Sequence, residues 1–345
     1  MSRGHHDSST ATWTPPRRFD GFELERPLGT GGMGIVYLAR DTRLMRPVAL
    51  KVVAHPERDH HALTRFAIES QALARVQHPN VVAVYRAGVV DHRPYLAQEL
   101  LVGHRLDEIA RPSSWRLVLR WSRDLARAVA ATHAHGVIHR DIKPANIMLV
   151  AGWRLKLFDF GLAYLLDAPG DTAQAPPTRA SYDGIPGTPL YLAPELWEGR
   201  PPTVRSDAYA IGLVMYEALA GELPHAHLRG AALAEAARRE DLPGLLLARP
   251  DVPHAIAELV DRLVARDPAH RPASVAEVRD ALDAVDETQV HTDRAWSLDD
   301  DLDAMARGAL DQRPTETISE LETPVPESPS LTRPGRALAV RRAGG

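Results

Sequence analysis

The run His139-Arg140-Asp141-Ile142-Lys143-Pro144-Ala145-Asn146 and the triplet Asp159-Phe160-Gly161 place four chemical groups at fixed spacing: a carboxylate base, a cation and two oxygen ligands for a hard metal ion. Hard divalent cations prefer carboxylate and amide oxygens, so Asn146 and Asp159 suit such an ion. The choice of cations is informative. Among 41 basic residues, lysine stands only at positions 51, 143 and 156. A compact ammonium on a flexible stem differs from a planar guanidinium fork. A chain that otherwise uses arginine therefore placed lysine at Lys51 and Lys143 for a chemical reason. Upstream lies Gly29-Thr30-Gly31-Gly32-Met33-Gly34-Ile35-Val36. Without side chains, such a run lets backbone N–H groups approach phosphates. In a dinucleotide fold a glycine run opens a helix. Here Ile35-Val36-Tyr37-Leu38-Ala39 follows, which is strand-like and predicts a hairpin.

The elements that must position these groups are legible from periodicity. Phe22–Leu28, Gly34–Arg40 and Pro47–Val53 read as strands, residues 58–75 as a helix, and Val81–Arg86 and Tyr95–Glu99 as two more strands. Pro79 ends the helical stretch. From Leu106 the pattern turns helical. Ser114–His135 is a long helix closed by Gly136, short strands follow near 147–150 and 155–158, and further helices fall near 203–220, 228–239, 254–265 and 274–285.

These motifs, in this order, resemble the eukaryotic-like, bacterial-type serine/threonine protein kinases over about residues 20–285. Val48-Ala49-Leu50-Lys51 and Ala193-Pro194-Glu195 complete the set. So many pieces in one order are specific where each alone is not. The resemblance implies an α+β, two-lobed protein kinase fold. A five-stranded N-lobe with one helix would span about 20–101, and a mainly helical C-lobe about 102–285. It implies ATP as phosphoryl donor with Mg²⁺, or Mn²⁺ in its place, and protein substrates. Leu28, Gly29, Thr30, Gly31, Gly32, Met33 and Gly34 would cover the nucleotide. Val36 and Ala49 would form the adenine roof, Met148 its floor, and the backbone of Glu99 and Leu101 the hinge, with Gln98 at the gatekeeper position. Lys51 would bind phosphates and be held by Glu69. Asp141 would be the base or orient the hydroxyl, Lys143 would approach the γ-phosphate, and Asn146 and Asp159 would hold the metal. Thr188 in Gly187-Thr188-Pro189 would bond Asp141 and Lys143 as part of the substrate platform. His139, Phe160, Leu73 and Val84 match a stacked apolar spine, Glu195 and Arg271 a buried ion pair, and Asp207 an anchor of the catalytic run. Arg140 before Asp141 implies a switch by loop phosphorylation, with Thr178 and Ser181 as sites and Thr172 as a further candidate. Autophosphorylation in trans, through a transient dimer, is the route this implies.

Composition narrows the rest. No cysteine occurs, which excludes disulfides and thiolate chemistry. A formal charge of −4 gives no nucleic-acid signal. No apolar run reaches the ~18 residues of a membrane span, and no signal segment is visible, so the expectation is a cytoplasmic protein. Arginine over lysine with abundant alanine suggests a GC-rich bacterial genome. Residues 1–19 read as a disordered leader. Residues 286–345 read as a mostly disordered Asp/Glu/Thr/Pro-rich tail, with one amphipathic stretch at Trp296–Leu310 and a tract that a phosphopeptide-binding partner would read once modified. Two rival readings are a non-enzymatic scaffold of the same fold and a small-molecule phosphotransferase. The second generally lacks the Ala-Pro-Glu and Gly-Thr segments.

Overall fold

The computed structural model describes residues 13–31, 34–53, 57, 59–109, 111–161 and 189–285. Strict alternation builds the first layer. In Arg46–Val53, Val48, Leu50 and Val52 are buried on one face beside Phe22 and Tyr95, while Ala49 falls on the other with Leu28 and Leu38. Successive strand side chains point to opposite faces. Lys51 therefore shares the face of Ala49.

The strands are β1 (Arg18–Phe19), β2 (Phe22–Gly31), β3 (Gly34–Asp41), β4 (Arg46–Val53), β5 (Val84–Val90) and β6 (Arg93–Gln98). They form an antiparallel sheet in the order β1-β2-β3-β4-β6-β5. The sheet thus has one strand more than the five expected. Residues 13–19, assigned by the sequence to a leader, belong to this lobe. Arg93 stacks over the Trp13 ring at 4.1 Å, and Leu24 N–H donates to the Arg17 carbonyl at 2.8 Å. Polar residues hid a two-residue edge strand.

Helix α1 (His60–Ala74) starts at Asp59, whose carboxylate accepts from the His61 N–H at 2.9 Å. It buries Ala62, Phe66, Ser70 and Leu73. The segment after α1 leaves its own sheet and joins the second lobe. Val81 makes a parallel bridge to Leu157, Leu157 N–H donates to the Asn80 carbonyl at 2.8 Å, and Val82 N–H donates to the Leu157 carbonyl at 3.0 Å.

The second lobe carries β7 (Gly103–Arg105), β8 (Ile147–Val150) and β9 (Arg154–Leu157) in one small sheet. Its helices are α2 (Trp115–Ala134), α3 (Pro194–Trp197), α4 (Val204–Ala220), α5 (Gly230–Arg239), α6 (Leu245–Ala248), α7 (His254–Leu263) and α8 (Val275–Asp283). Helix α4 is apolar nearly all round and buried, with Ala208, Ile211 and Leu219 at 0% exposure, so it is the central helix of this lobe. It begins at Thr203, whose hydroxyl accepts from Arg205 N–H, and stops at Gly221 with φ 102°. Helix α2 packs against α4, α8 and β9. Among the described residues no helix is long and apolar enough to cross a membrane.

Candidate active site

Backbone shape at the turn between β2 and β3 demands glycine at one position. A Cβ on Gly34 would come within 2.1 Å of the Val52 carbonyl oxygen. At Gly29 a Cβ would meet nothing within 4 Å, so packing does not explain that glycine. Gly32 and Met33 lie outside the described residues. Below this turn, Val36 packs with buried Leu28, Leu38 and Ala49. Gln98 is buried and stands opposite Ala49 in the ladder. Leu101 is buried at the start of the second lobe, and Met148 is buried on β8.

Around Asp141 two side chains converge on its carboxylate and its backbone carbonyl. Lys143 Nζ donates to Oδ2 at 2.8 Å, and Asn146 Nδ2 donates to Oδ2 at 2.9 Å and to the Asp141 carbonyl at 2.8 Å. Burial raises the Asp141 carboxyl above the ordinary range, and the Lys143 ammonium opposes that rise. The amide N–H groups of Asn146 are spent on Asp141, which leaves its Oδ1 as the arm available to a metal.

His139 is fully buried, and burial holds its pKa below the ordinary value, so the ring is neutral. Its Nδ1 accepts from Asp141 N–H at 3.2 Å, and Nε2–H therefore donates to the Phe158 carbonyl at 3.2 Å. The ring lies 4.3 Å from that of Phe160. Leu73, Phe160 and half-buried Val84 belong to one apolar cluster. Asp207, at the start of α4, accepts from His139 N–H at 2.8 Å, from Arg140 N–H at 3.0 Å and from His133 at 2.8 Å. Burial alone would raise the Asp207 carboxyl. The hydrogen bond and charge of His133 outweigh it and hold the group below the usual carboxylate range.

Arg140 and Asp159 sit at φ 68° and 58°, left-handed conformations that non-glycine residues avoid. Such strain persists where surrounding bonds fix it and clusters at functional sites. Asp159 meets Lys51 Nζ in an ion pair. Burial pushes the Asp159 carboxyl up, but the Lys51 charge outweighs it and leaves it lowered. The expected Lys51–Glu69 pair is not the one present. Glu69 instead takes both arms of the Arg140 guanidinium, at 2.7 Å each. The physical reason is geometric: a planar fork matches a carboxylate with two parallel bonds, while the single ammonium of Lys51 goes to Asp159.

Glu195 and Arg271 are paired at 2.8 and 2.9 Å with side chains 4% and 0% exposed. Arg271 also donates to the carbonyls of Ala265, Arg205 and Arg266, so all five of its N–H donors are used. Thr188 and the loop residues Thr172, Thr178 and Ser181 lie outside the described residues. Sequence reasoning left Lys156 without a role. Its one signal was its identity, a third lysine in a chain that prefers arginine. It donates to Glu99 Oε2 at 2.8 Å.

The chemistry of the donor set fits a hard cation. Carboxylate and amide oxygens of Asp159 and Asn146 come from adjacent elements, tied by the Phe158 N–H donating to the Asn146 carbonyl at 3.0 Å. Among the described residues there is no cluster of three or more His, Cys, Asp or Glu that would hold a metal through protein ligands alone. A two-ligand site that also uses substrate phosphates is consistent with both observations.

A sheet lobe and a helical lobe, a glycine-bearing turn between β2 and β3, and Lys51 paired with Asp159 fit the phosphoryl-transfer class of protein. The sequence profile of the protein kinase domain matches residues 22–283, and the chain belongs to that family. Serine/threonine-protein kinase PknB of Mycolicibacterium smegmatis is 37% identical over 284 residues, which is 80% of this chain and 44% of that protein. Serine/threonine-protein kinase pkn3 of Myxococcus xanthus is 34% identical over 286 residues, 79% of this chain and 51% of that one. The chain spans about half the length of the curated relatives it matches. Among solved structures, the crystal structure of the Mycobacterium tuberculosis PknI kinase domain aligns with a TM-score of 0.58 at 28% identity, over 77% of this chain and 96% of that one.

Proposed function

We propose that the chain transfers the γ-phosphoryl of ATP to serine or threonine hydroxyls of proteins. The observation that carries this reading is the convergence of Lys143 and Asn146 on Asp141, with Lys51 and Asp159 paired nearby. In this reading Asp141 orients the substrate hydroxyl and takes its proton. Lys143 steadies the transferring group, and Lys51 aligns the α- and β-phosphates. Mg²⁺ held by Asn146 and Asp159 would neutralise charge that builds on the phosphate oxygens. Catalysis of this kind is mostly positioning and charge stabilisation. Substrate proteins, a cytoplasmic setting, transient dimers and a phosphopeptide-binding partner for the tail belong to the same proposal. The test is transfer from radiolabelled ATP to a generic basic protein by purified full-length protein. Asp141→Asn should lower kcat at least ~10²-fold while ADP binding persists. Equal transfer by the variant sinks the assignment of Asp141. No transfer by the wild type, with ADP bound, leaves the scaffold reading.

A switch follows from the Glu69–Arg140 pair. While Arg140 holds Glu69, Lys51 lacks its expected partner and engages Asp159. A phosphate at Thr178 or Ser181, or at Thr172, carries about −1.5 to −2 charges. It would compete for Arg140 and release Glu69 toward Lys51.

A further inference from the structure

The third lysine stands where three chain segments meet. Lys156 lies on β9 directly opposite Met148 in the ladder, so the two side chains share one face of the small sheet. Its ammonium donates to Glu99 Oε2 at 2.8 Å and to the Val81 carbonyl at 3.2 Å. The same Glu99 oxygen accepts from Ala83 N–H at 3.2 Å, and Glu99 N–H donates to the Ala83 carbonyl at 2.8 Å. The Lys156 side chain is only 12% exposed. Exposed ion pairs contribute little. This one is mostly shielded, shares its oxygen with a backbone donor, and spans residues far apart in sequence. An ammonium can aim its hydrogens at acceptors in different planes, whereas a guanidinium donates within one plane. That is a reason for lysine here in a chain rich in arginine.

We propose that Lys156 is a positioning residue for adenine: through the Glu99 carboxylate it holds the backbone between Gln98 and Leu101 in register with Met148. This rests on the reading of Glu99 and Leu101 as the backbone that faces adenine. Lys156 does not touch the base. It fixes the connector between the lobes to β9, the strand that runs on into Asp159, so base and metal ligands keep one frame. Val81 and Ala83 extend that frame to the segment after α1.

The test uses the full chain and two probes, ADP and inorganic tripolyphosphate, the second lacking the base. Lys156→Met should weaken ADP binding and raise the KM for ATP about tenfold, the scale of one charge-assisted hydrogen bond. The affinity for tripolyphosphate, the KM for a protein substrate and kcat should stay within about twofold of the wild type. Lys156→Arg should recover part of the loss. Glu99→Gln keeps the shape of the connector and should weaken ADP similarly, and the double variant should be no worse than either single one. Thermal unfolding of each variant identifies any that fails to fold, in which case Glu99→Gln carries the test. Unchanged ADP affinity in Lys156→Met or Glu99→Gln overturns the proposal. So does equal weakening of ADP and tripolyphosphate, or additive loss in the double variant. A wild type that binds no ADP overturns the reading of the cleft itself, whereas a wild type that binds ADP and is indifferent to Lys156→Met sinks the clamp alone.

Discussion

Around Asp207 the backbone N–H groups of His139 and Arg140 have a buried carboxylate on their own lobe, whereas the Arg140 side chain reaches across to Glu69 of α1 in an ion pair. The first arrangement joins backbone N–H groups to a buried carboxylate. Leaving those buried donors unpaired would be costly. The second joins two side chains, each with another charged group it is expected to meet. Its two bonds are strong but replaceable, since a phosphate offers the same fork a better acceptor. One half of the site is built into the C-lobe, and the other half rests on side-chain pairs between the lobes, Glu69 with Arg140 and Lys51 with Asp159.

That contrast can be broken at its firm end. Arg271→Met strands Glu195 in the interior. Removing one member of a buried pair costs about 3–5 kcal/mol, which should lower the melting temperature by roughly 10 °C for a domain of this size. A loss near zero by thermal unfolding would show that the C-lobe frame is not fixed by this pair. At the replaceable end, phosphatase treatment should lower activity severalfold, and Thr178→Ala with Ser181→Ala should lower it alike. Mass spectrometry that finds no loop phosphate in fully active protein would mean that the switch is not used and that Arg140 is merely structural. The smallest effect is acidic. The Asp207 carboxyl is held below its usual 3.8 in the folded chain, so the unfolded chain binds more protons in that interval. The contribution is present above about pH 4 and lost as pH falls through the folded value. Asp207→Asn should therefore flatten the dependence of unfolding free energy on pH below that point. An unchanged slope would place the acid sensitivity elsewhere.

The sequence made the two lobes legible because alternation in β4 and the 3.6-residue period of α2 report directly on which face is buried. The catalytic residues were legible because their spacing is set by one tight local run. Lys143 and Asn146 reach Asp141 from two and five residues away. What stayed hidden was decided between distant segments. β1 and β7 are two and three residues long, too short for a period to appear. Glu69 chooses Arg140 over Lys51 across 71 residues, and no local pattern encodes a choice between two cations. Lys156 reaches Glu99 across 57 residues, and only its rarity marked it.

The bonds of Asn80 and Val82 to β9 anchor the far end of α1 to the C-lobe. If the helix, which also packs on β5 and β6, turns about that anchored end, Ala74 is the shoulder of the arm. Glu69 lies about 7.5 Å from that shoulder and His60 about 21 Å, at 1.5 Å per residue. Any swing of the arm moves its tip nearly three times as far as the carboxylate. A modest force applied near His60 is therefore geared up at Glu69, and whatever touches the outer end of α1 has leverage over which cation the carboxylate meets.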